Sequence, residues 1–135
     1  MNLLVIDAQG GGIGKQLITE LKKELPDVHI MAVGTNSAAT MAMLKAGADE
    51  AATGENPVIV ACRKADIIIG PIGIVIADSM LGEITPGMAL AVAQSSAKRI
   101  LIPFNQCNNI IVGVPNINVN SLVKSTVEEV MRKTC

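Results

Sequence analysis

The sequence predicts a three-layer, doubly wound α/β domain around a mostly parallel sheet of five or six strands. Short apolar runs alternate along the chain with segments of helical periodicity, which is the pattern of repeated βαβ units. The first apolar run, residues 3–7, is continuous, as expected of a strand buried on both faces of a parallel sheet. It enters a loop with four glycines and continues into an amphipathic segment, so the chain opens with a strand, a glycine loop and a helix.

Capping and stop residues mark the ends of the elements in the first part of the chain. Pro26 ends the first helix, because a helix is disfavoured at the residue before a proline. Asn36 or Ser37 can cap the second helix, and Gly47 is suited to end it. The expected elements are strands at 3–7 and 28–33 and helices at 13–25 and 37–46.

The remaining elements follow in the same alternation. Pro57 suits the first turn of a short helix, and Thr85 followed by Pro86 combines a cap with a proline at the first helical position. No repeat or linker interrupts the pattern, so residues 1–135 are expected to form one domain. The expected strands are 49–52, 66–69, 99–104 and 110–114, and the expected helices are 57–64, 74–81, 86–96 and 119–133.

Composition excludes several classes of function. The net charge of −1 and the single aromatic residue, Phe104, argue against nucleic acid as a partner. The longest apolar run, 67–77, is too short and too rich in glycine and proline to cross a membrane. The chain shows no export signal, and the spacing of its three cysteines matches no metal site. We therefore expect a cytoplasmic protein with reduced thiols.

The candidate ligand site follows from the fold. In open parallel sheets ligands bind beyond the carboxyl ends of the strands, and the segments expected there are the richest in glycine and small polar residues. The favoured hypothesis is that the glycine loop binds a phosphate or nucleotide. The alternative is that the glycines only let the helix pack on the strand. The predicted binding residues are Gly10, Gly11, Gly12, Ile13, Gly14, Lys15, Thr35, Asn36, Ser37, Gly73 and Asn105, with Asp7, Thr53, Asn56, Asp78 and Glu83 as secondary candidates.

The glycine loop departs from every named nucleotide fingerprint. A dinucleotide pattern starting at Gly10 places Lys15 at its third glycine, and a Walker pattern finds Gln16 where it needs a hydroxyl. Thr35 also stands where a nicotinamide site would carry an acid at the end of the second strand. The cofactor is therefore undefined, with a nucleotide or NADP as the open alternatives.

Catalytic candidates are few. His29 is the only histidine and lies at the edge opposite the loops, which removes histidine-based triads. Cys107 lacks a partner that would activate it. Asp7 could orient a ligand or cap the loop, and the polar residues at 78–85 could mark helix ends or form part of a site.

Two helices are apolar nearly all round. Residues 38–46 and 88–93 lack the polar face that a surface helix normally has, so we expect a partner to cover them. The expected partner is a second copy of the chain, bound through one of these two helices, with residues 74–81 as a further contributor.

Several segments together resemble a small bacterial family known only as a domain of unknown function. The resemblance covers nearly the whole chain and implies a stand-alone, Rossmann-like cytoplasmic protein, and it transfers no catalytic residue. The segments are QGGGIGK at 9–15, GTNS at 34–37, ATGEN at 52–56, GPIGIVIADS at 70–79 and GEITP at 82–86.

Three functional hypotheses follow. The first is a dimeric binding protein that holds a nucleotide or phosphorylated metabolite on the glycine loop. The second is a small NADP-linked or phosphate-transferring enzyme whose site closes across a dimer, with Asp78 or Glu83 supplied by the second subunit. The third is an interaction module whose apolar helices dock on a larger assembly.

Overall fold

The computed structural model describes residues 1–104, 108–115 and 118–134. Strands and helices alternate along it, with one short 3-10 helix after the fourth strand. In chain order they are β1 (Asn2–Asp7), α1 (Gly12–Glu24), β2 (His29–Gly34), α2 (Ser37–Lys45), β3 (Glu50–Thr53), α3 (Glu55–Lys64), β4 (Ile67–Pro71), the 3-10 helix (Ile72–Val75), α4 (Pro86–Gln94), β5 (Lys98–Ile102) and α5 (Val119–Thr134).

The five strands form one parallel sheet in the order β3-β2-β1-β4-β5. Leu3 of β1 lies opposite Ile30 of β2 and Ile67 of β4. After β1 the chain adds β2 and then β3 on one side of β1. It then crosses to the other side and adds β4 and β5. Strand order therefore reverses between β1 and β4, and sheets of this kind bind ligands beyond the carboxyl ends of the two strands at that point.

The hydrophobic core has two halves, one on each face of the sheet. Leu3 and Val5 point to the face covered by α1, α2 and α5. Leu4 and Ile6 point to the face covered by α3, α4 and the 3-10 helix. Because β1 is buried on both faces, its sequence is continuously apolar rather than alternating. The three-layer α/β fold predicted from the sequence is confirmed, with five strands.

The structure decides between the two caps predicted for the second helix and confirms the cap predicted at Thr85. The Asn36 side chain accepts a hydrogen bond from the amide of Ala39, at 2.9 Å, and begins α2. The Thr85 hydroxyl accepts from the amide of Met88, at 3.1 Å, and Pro86 follows as the first residue of α4. None of the helices in the described part of the chain is long and apolar enough to cross a bilayer.

The helix predicted at 74–81 is wrong. The 3-10 helix ends at Val75, and turns follow it up to α4. The β-branched residues at 74–76 are poor helix formers. Beyond them the backbone turns left-handed at four positions, with φ of 64° at Asp78, 54° at Met80, 58° at Leu81 and 84° at Gly82.

The strand predicted at 110–114 is also wrong, since residues 108–115 contain no strand. Ile110 and Val112 are almost fully exposed, and Gly113 has φ of 85°. β-Branched residues favour a strand only where a neighbouring strand or core packs against them, and nothing covers Ile110 and Val112. A smaller shift affects α3, which begins at Glu55 rather than at Pro57.

Candidate functional site

The glycines between β1 and α1 have two different roles. Gly11 has φ of 73°, and a Cβ there would lie 2.8 Å from the Ala39 Cα of α2. A Cβ on Gly14 would lie 2.7 Å from the Met43 sulfur. Gly10 and Gly12, in contrast, face open space, with nothing within 4 Å of a Cβ. Close packing therefore favours glycine at Gly11 and Gly14, whereas Gly10 and Gly12 leave open space in front of the loop.

Asp7 connects the end of β1 to the start of α1. Its side chain is only 4% exposed and accepts hydrogen bonds from the amides of Ala8, at 2.8 Å, and Gly14, at 2.7 Å. Burial raises the pKa of the Asp7 carboxyl; the two amide bonds oppose this shift, and the nearby charge of Glu83 adds to it. The capping role considered for Asp7 is therefore present in the structure.

A cavity of about 270 Å³ lies at the switch point of the sheet. The glycine loop and the start of α1 form one side, and residues from β4, α5 and the segment after the 3-10 helix form the other. Its lining consists of Asp7, Ala8, Gln9, Gly10, Gly11, Gly12, Ile13, Gln16, Pro71, Met80, Phe104 and Val119.

Glu83 binds both loops that follow β1 and β2. Its Oε1 accepts hydrogen bonds from the Gln9 amide at 2.8 Å, the Thr35 hydroxyl at 2.6 Å and the Asn36 side-chain amide at 2.9 Å. The Asn36 amide also donates to the Gln9 carbonyl oxygen, at 2.9 Å. Thr35 and Asn36, predicted as phosphate donors, thus donate to a carboxylate of the same chain.

These hydrogen bonds favour the charged form of Glu83. Partial burial opposes ionisation, but the bonds from Thr35, Gln9 and Asn36 together outweigh it and lower the pKa of the Glu83 carboxyl below its usual value. A negative charge therefore stands at the end of β2, next to the glycine loop.

The segment 76–85, which we call the bridging segment, carries Glu83 to this position. It folds back on itself through hydrogen bonds from the Asp78 amide to the Ile84 carbonyl, at 2.7 Å, and from the Gly82 amide to the Asp78 carbonyl, at 3.1 Å. The Ser79 hydroxyl anchors it to the Gly73 carbonyl at 2.6 Å. The left-handed turn directs Met80 into the cavity, where it is buried, and leaves Leu81 97% exposed.

The structure brings together only some of the predicted site residues. Lys15 is exposed and lines a separate groove of about 630 Å³ between α1 and α5, not the switch-point cavity. Thr53 pairs with the Thr40 hydroxyl at 2.7 Å, and Gly73 packs under Ser79 and Met80. Ser37, Asn56 and Asp78 are exposed residues outside the cavity lining, and Asn105 lies outside the described residues, as does Cys107.

Seven cavity residues are absent from the binding residues predicted from the sequence, namely Ala8, Gln9, Gln16, Pro71, Met80, Phe104 and Val119. Gln9 and Pro71 adjoin the predicted loops, so a wider reading of those loops would have included them. Met80 and Val119 carry no local signal, because their position depends on how distant segments pack. Glu83 appears among the secondary candidates, but its partners at β1 and β2 are 74 and 48 residues away.

Comparison with known proteins places the chain in a family. The model of the domain of unknown function DUF3842 matches residues 2–134. The chain belongs to this family. The resemblance noted from the sequence segments is thus confirmed, and the DUF3842 match extends over nearly all of the chain. Comparison with curated proteins found no match.

Two solved structures are similar to this DUF3842 member, and the first of them illustrates its fold. One is a heptosyltransferase WaaC from E. coli, solved with ADP, with 12% identity and a TM-score of 0.54 over 96% of this chain. This chain spans 46% of that enzyme. The other is a dodecameric FMN-dependent Ubix-like decarboxylase from Escherichia coli O157:H7, with 17% identity and a TM-score of 0.45, covering 99% of this chain and 94% of that chain. At 12% identity, the similarity to the heptosyltransferase shows a shared Rossmann-like α/β fold and nothing more.

Proposed function

We propose that this protein binds a phosphorylated small molecule in the switch-point cavity, with the phosphate on the glycine loop. The observation that carries the proposal is the open space in front of Gly10 and Gly12, at the side of the cavity where α1 begins. Backbone that approaches a ligand closely needs glycine, since any side chain would occupy the same space.

The free amides at the start of α1 support an anion at this place. The Gly11 amide donates to the Ala8 carbonyl and the Gly14 amide donates to Asp7. Within the described ranges no acceptor bonds the amides of Gly12 and Ile13. A helix start carries partial positive charge, so a phosphate there would satisfy these donors and interact favourably with the helix dipole.

The cavity volume limits the ligand. About 270 Å³ is slightly below the usual range for small-molecule pockets, roughly 300 to 1,000 Å³. We therefore expect a ligand no larger than a mononucleotide, part of which extends beyond the cavity. The ADP in the heptosyltransferase structure is an analogy at the level of the fold.

Calorimetric titration and thermal unfolding test the proposal. Inorganic phosphate, pyrophosphate, sugar phosphates and nucleoside monophosphates are the probes. A true ligand at 100 times its Kd should add about 2.7 kcal/mol to the free energy of unfolding. The Gly12→Ala variant should keep the stability of the unliganded protein and lose this increment, because the added methyl group fills the phosphate position.

Two results would contradict the proposal. One is the absence of binding to every probe in the panel, which would favour the interaction module. The other is a ligand increment of equal size in the wild type and in Gly12→Ala. Unfolding of both proteins without ligand is the control.

We also propose that two copies associate through the outer face of α4. Leu90 on this helix is 56% exposed, and it borders a groove of about 580 Å³ shared with Ile59 of α3. Light scattering with Leu90→Lys should show a monomer, while the matched Met41→Lys on the exposed side of α2 should leave the dimer intact. A monomeric wild type at micromolar concentration would disprove this proposal.

A further inference from the structure

We infer that Glu83 recognises the hydroxyl groups of a ribose, so that the ligand of the glycine loop is a nucleotide. This inference rests on the proposed phosphate site and adds the chemistry of the rest of the ligand. It follows from where the Glu83 carboxylate lies, from which of its oxygens is already bonded, and from the opposite charges of the two neighbouring subsites.

The Glu83 carboxylate lies at the end of β2, where the sequence lacks an acid. In dinucleotide-binding sheets an acidic residue near the end of the second strand binds ribose hydroxyls. Here β2 ends at Gly34 and the chain continues with Thr35 and Asn36. Both of these side chains hold the Glu83 carboxylate, which reaches them from the bridging segment. An acid from a distant segment therefore occupies the place that the local sequence leaves vacant.

The bonding of the two carboxylate oxygens leaves capacity for a ligand. The donors from Gln9, Thr35 and Asn36 all bind Oε1, which fixes the orientation of the group. Oε2 belongs to none of these three bonds and keeps its lone pairs. An ionised carboxylate only accepts hydrogen bonds, so its partner in a ligand must be a donor such as a sugar hydroxyl.

The charges of the two subsites also indicate which part of the ligand each of them binds. The Glu83 carboxylate repels a phosphate, whereas the open amides of Gly12 and Ile13 attract one. Gln9 joins the two places, because its amide donates to Glu83 and the residue also lines the cavity. A phosphate on the helix start and a hydroxyl-bearing sugar on Glu83 match this arrangement.

A matched set of ligands tests the inference. The four ribonucleoside 5′-monophosphates, their 2′,3′-dideoxy counterparts and inorganic phosphate are titrated calorimetrically into the wild type, Glu83→Gln and Glu24→Gln. Glu24→Gln removes the same charge at the far, exposed end of α1. Glutamine at position 83 keeps one oxygen acceptor but loses the charge and the second acceptor.

The wild type and Glu24→Gln should bind at least one ribonucleotide about 10- to 100-fold more tightly than its dideoxy counterpart, as expected for a hydrogen bond to a charged group. In Glu83→Gln this preference should fall to less than about threefold. Inorganic phosphate should bind this variant with equal or slightly higher affinity, because a nearby negative charge is removed.

Other outcomes overturn the inference in distinguishable ways. Equal affinities for the ribo and dideoxy forms in the wild type would leave a phosphate site without sugar recognition, whether or not the variant folds. A gain of more than about tenfold in the affinity for inorganic phosphate in Glu83→Gln would mean that Glu83 occupies the phosphate position and blocks it. If the wild type binds neither nucleotides nor inorganic phosphate, the proposed function fails as well.

Discussion

Single residues in the glycine loop differ in what they contribute, although the sequence presents them as one run. Gly11 and Gly14 let α1 pack closely against α2 and β1, whereas Gly10 and Gly12 border open space. From the sequence, each glycine of the loop could serve either helix packing or ligand access. The atoms near each Cβ position in the folded chain show which role each glycine has.

Substitutions in the loop should separate packing from ligand access. We expect Gly11→Ala to lower the free energy of unfolding by about 1–3 kcal/mol, because alanine disfavours the left-handed backbone and would contact Ala39. Gly12→Ala should change it by less than about 0.5 kcal/mol. Chemical denaturation measures both values, and equal losses would contradict the division of roles.

Glu83 should make stability depend on pH in an identifiable range. Its pKa is lowered in the folded protein, so the stabilisation is complete above the ordinary glutamate value, about 4.3, and is lost as the pH falls through the lowered folded value. The difference in unfolding temperature between the wild type and Glu83→Gln should be constant near neutral pH and shrink below about pH 4.3. Thermal unfolding monitored by circular dichroism measures it, and a difference that is independent of pH would refute the assignment.

At the scale of elements, the bridging segment is the part that local sequence preferences describe least well. Three residues other than glycine have positive φ there, each at a cost of about 1–2 kcal/mol. Its internal hydrogen bonds, the burial of Met80 and the bonds of Glu83 hold this conformation in place. The bridging segment leads into α4 and holds Glu83 against the loops that follow β1 and β2.

The cap at the start of α4 should contribute measurably to stability. Thr85→Ala removes the acceptor for the Met88 amide and should cost about 1 kcal/mol in the free energy of unfolding. Thr85→Ser keeps an oxygen at the same place and serves as the matched control. Urea titrations of both variants measure the effect, and equal losses would exclude the cap as the cause.

At the scale of the whole molecule, one sheet is shared by both halves of the core. β1 contributes Leu3 and Val5 to one half and Leu4 and Ile6 to the other, so neither half can lose its packing independently. We expect a single cooperative unfolding transition for the chain. Far-ultraviolet circular dichroism and differential scanning calorimetry should give the same midpoint. Two separate transitions would show that the chain contains more than one folding unit.

The sequence alone determined the alternation of elements and the cap of α4, and it predicted the edge of the sheet where the switch-point cavity lies. These depend on local features, namely apolar periodicity, capping residues and glycines in the β1–α1 loop, which act over a few residues. The segments 74–81 and 110–114 were mispredicted for different reasons. The helix at 74–81 is absent because its β-branched residues disfavour a helix, a local preference that the structure follows. The strand at 110–114 is absent because β-branched residues favour a strand only where something packs against them, and Ile110 and Val112 are exposed.

Only the tertiary structure decided the strand order, the roles of the individual glycines and the position of Glu83. The sheet brings the ends of β1 and β2 together, and the bridging segment then places a carboxylate against Gln9, Thr35 and Asn36. These contacts join residues up to 74 positions apart, and their free energy depends on how the two layers pack around the sheet. No local sequence pattern predicts a contact over such a separation. Only the folded chain therefore shows that the Glu83 carboxylate lies at the end of β2, next to Thr35 and Asn36.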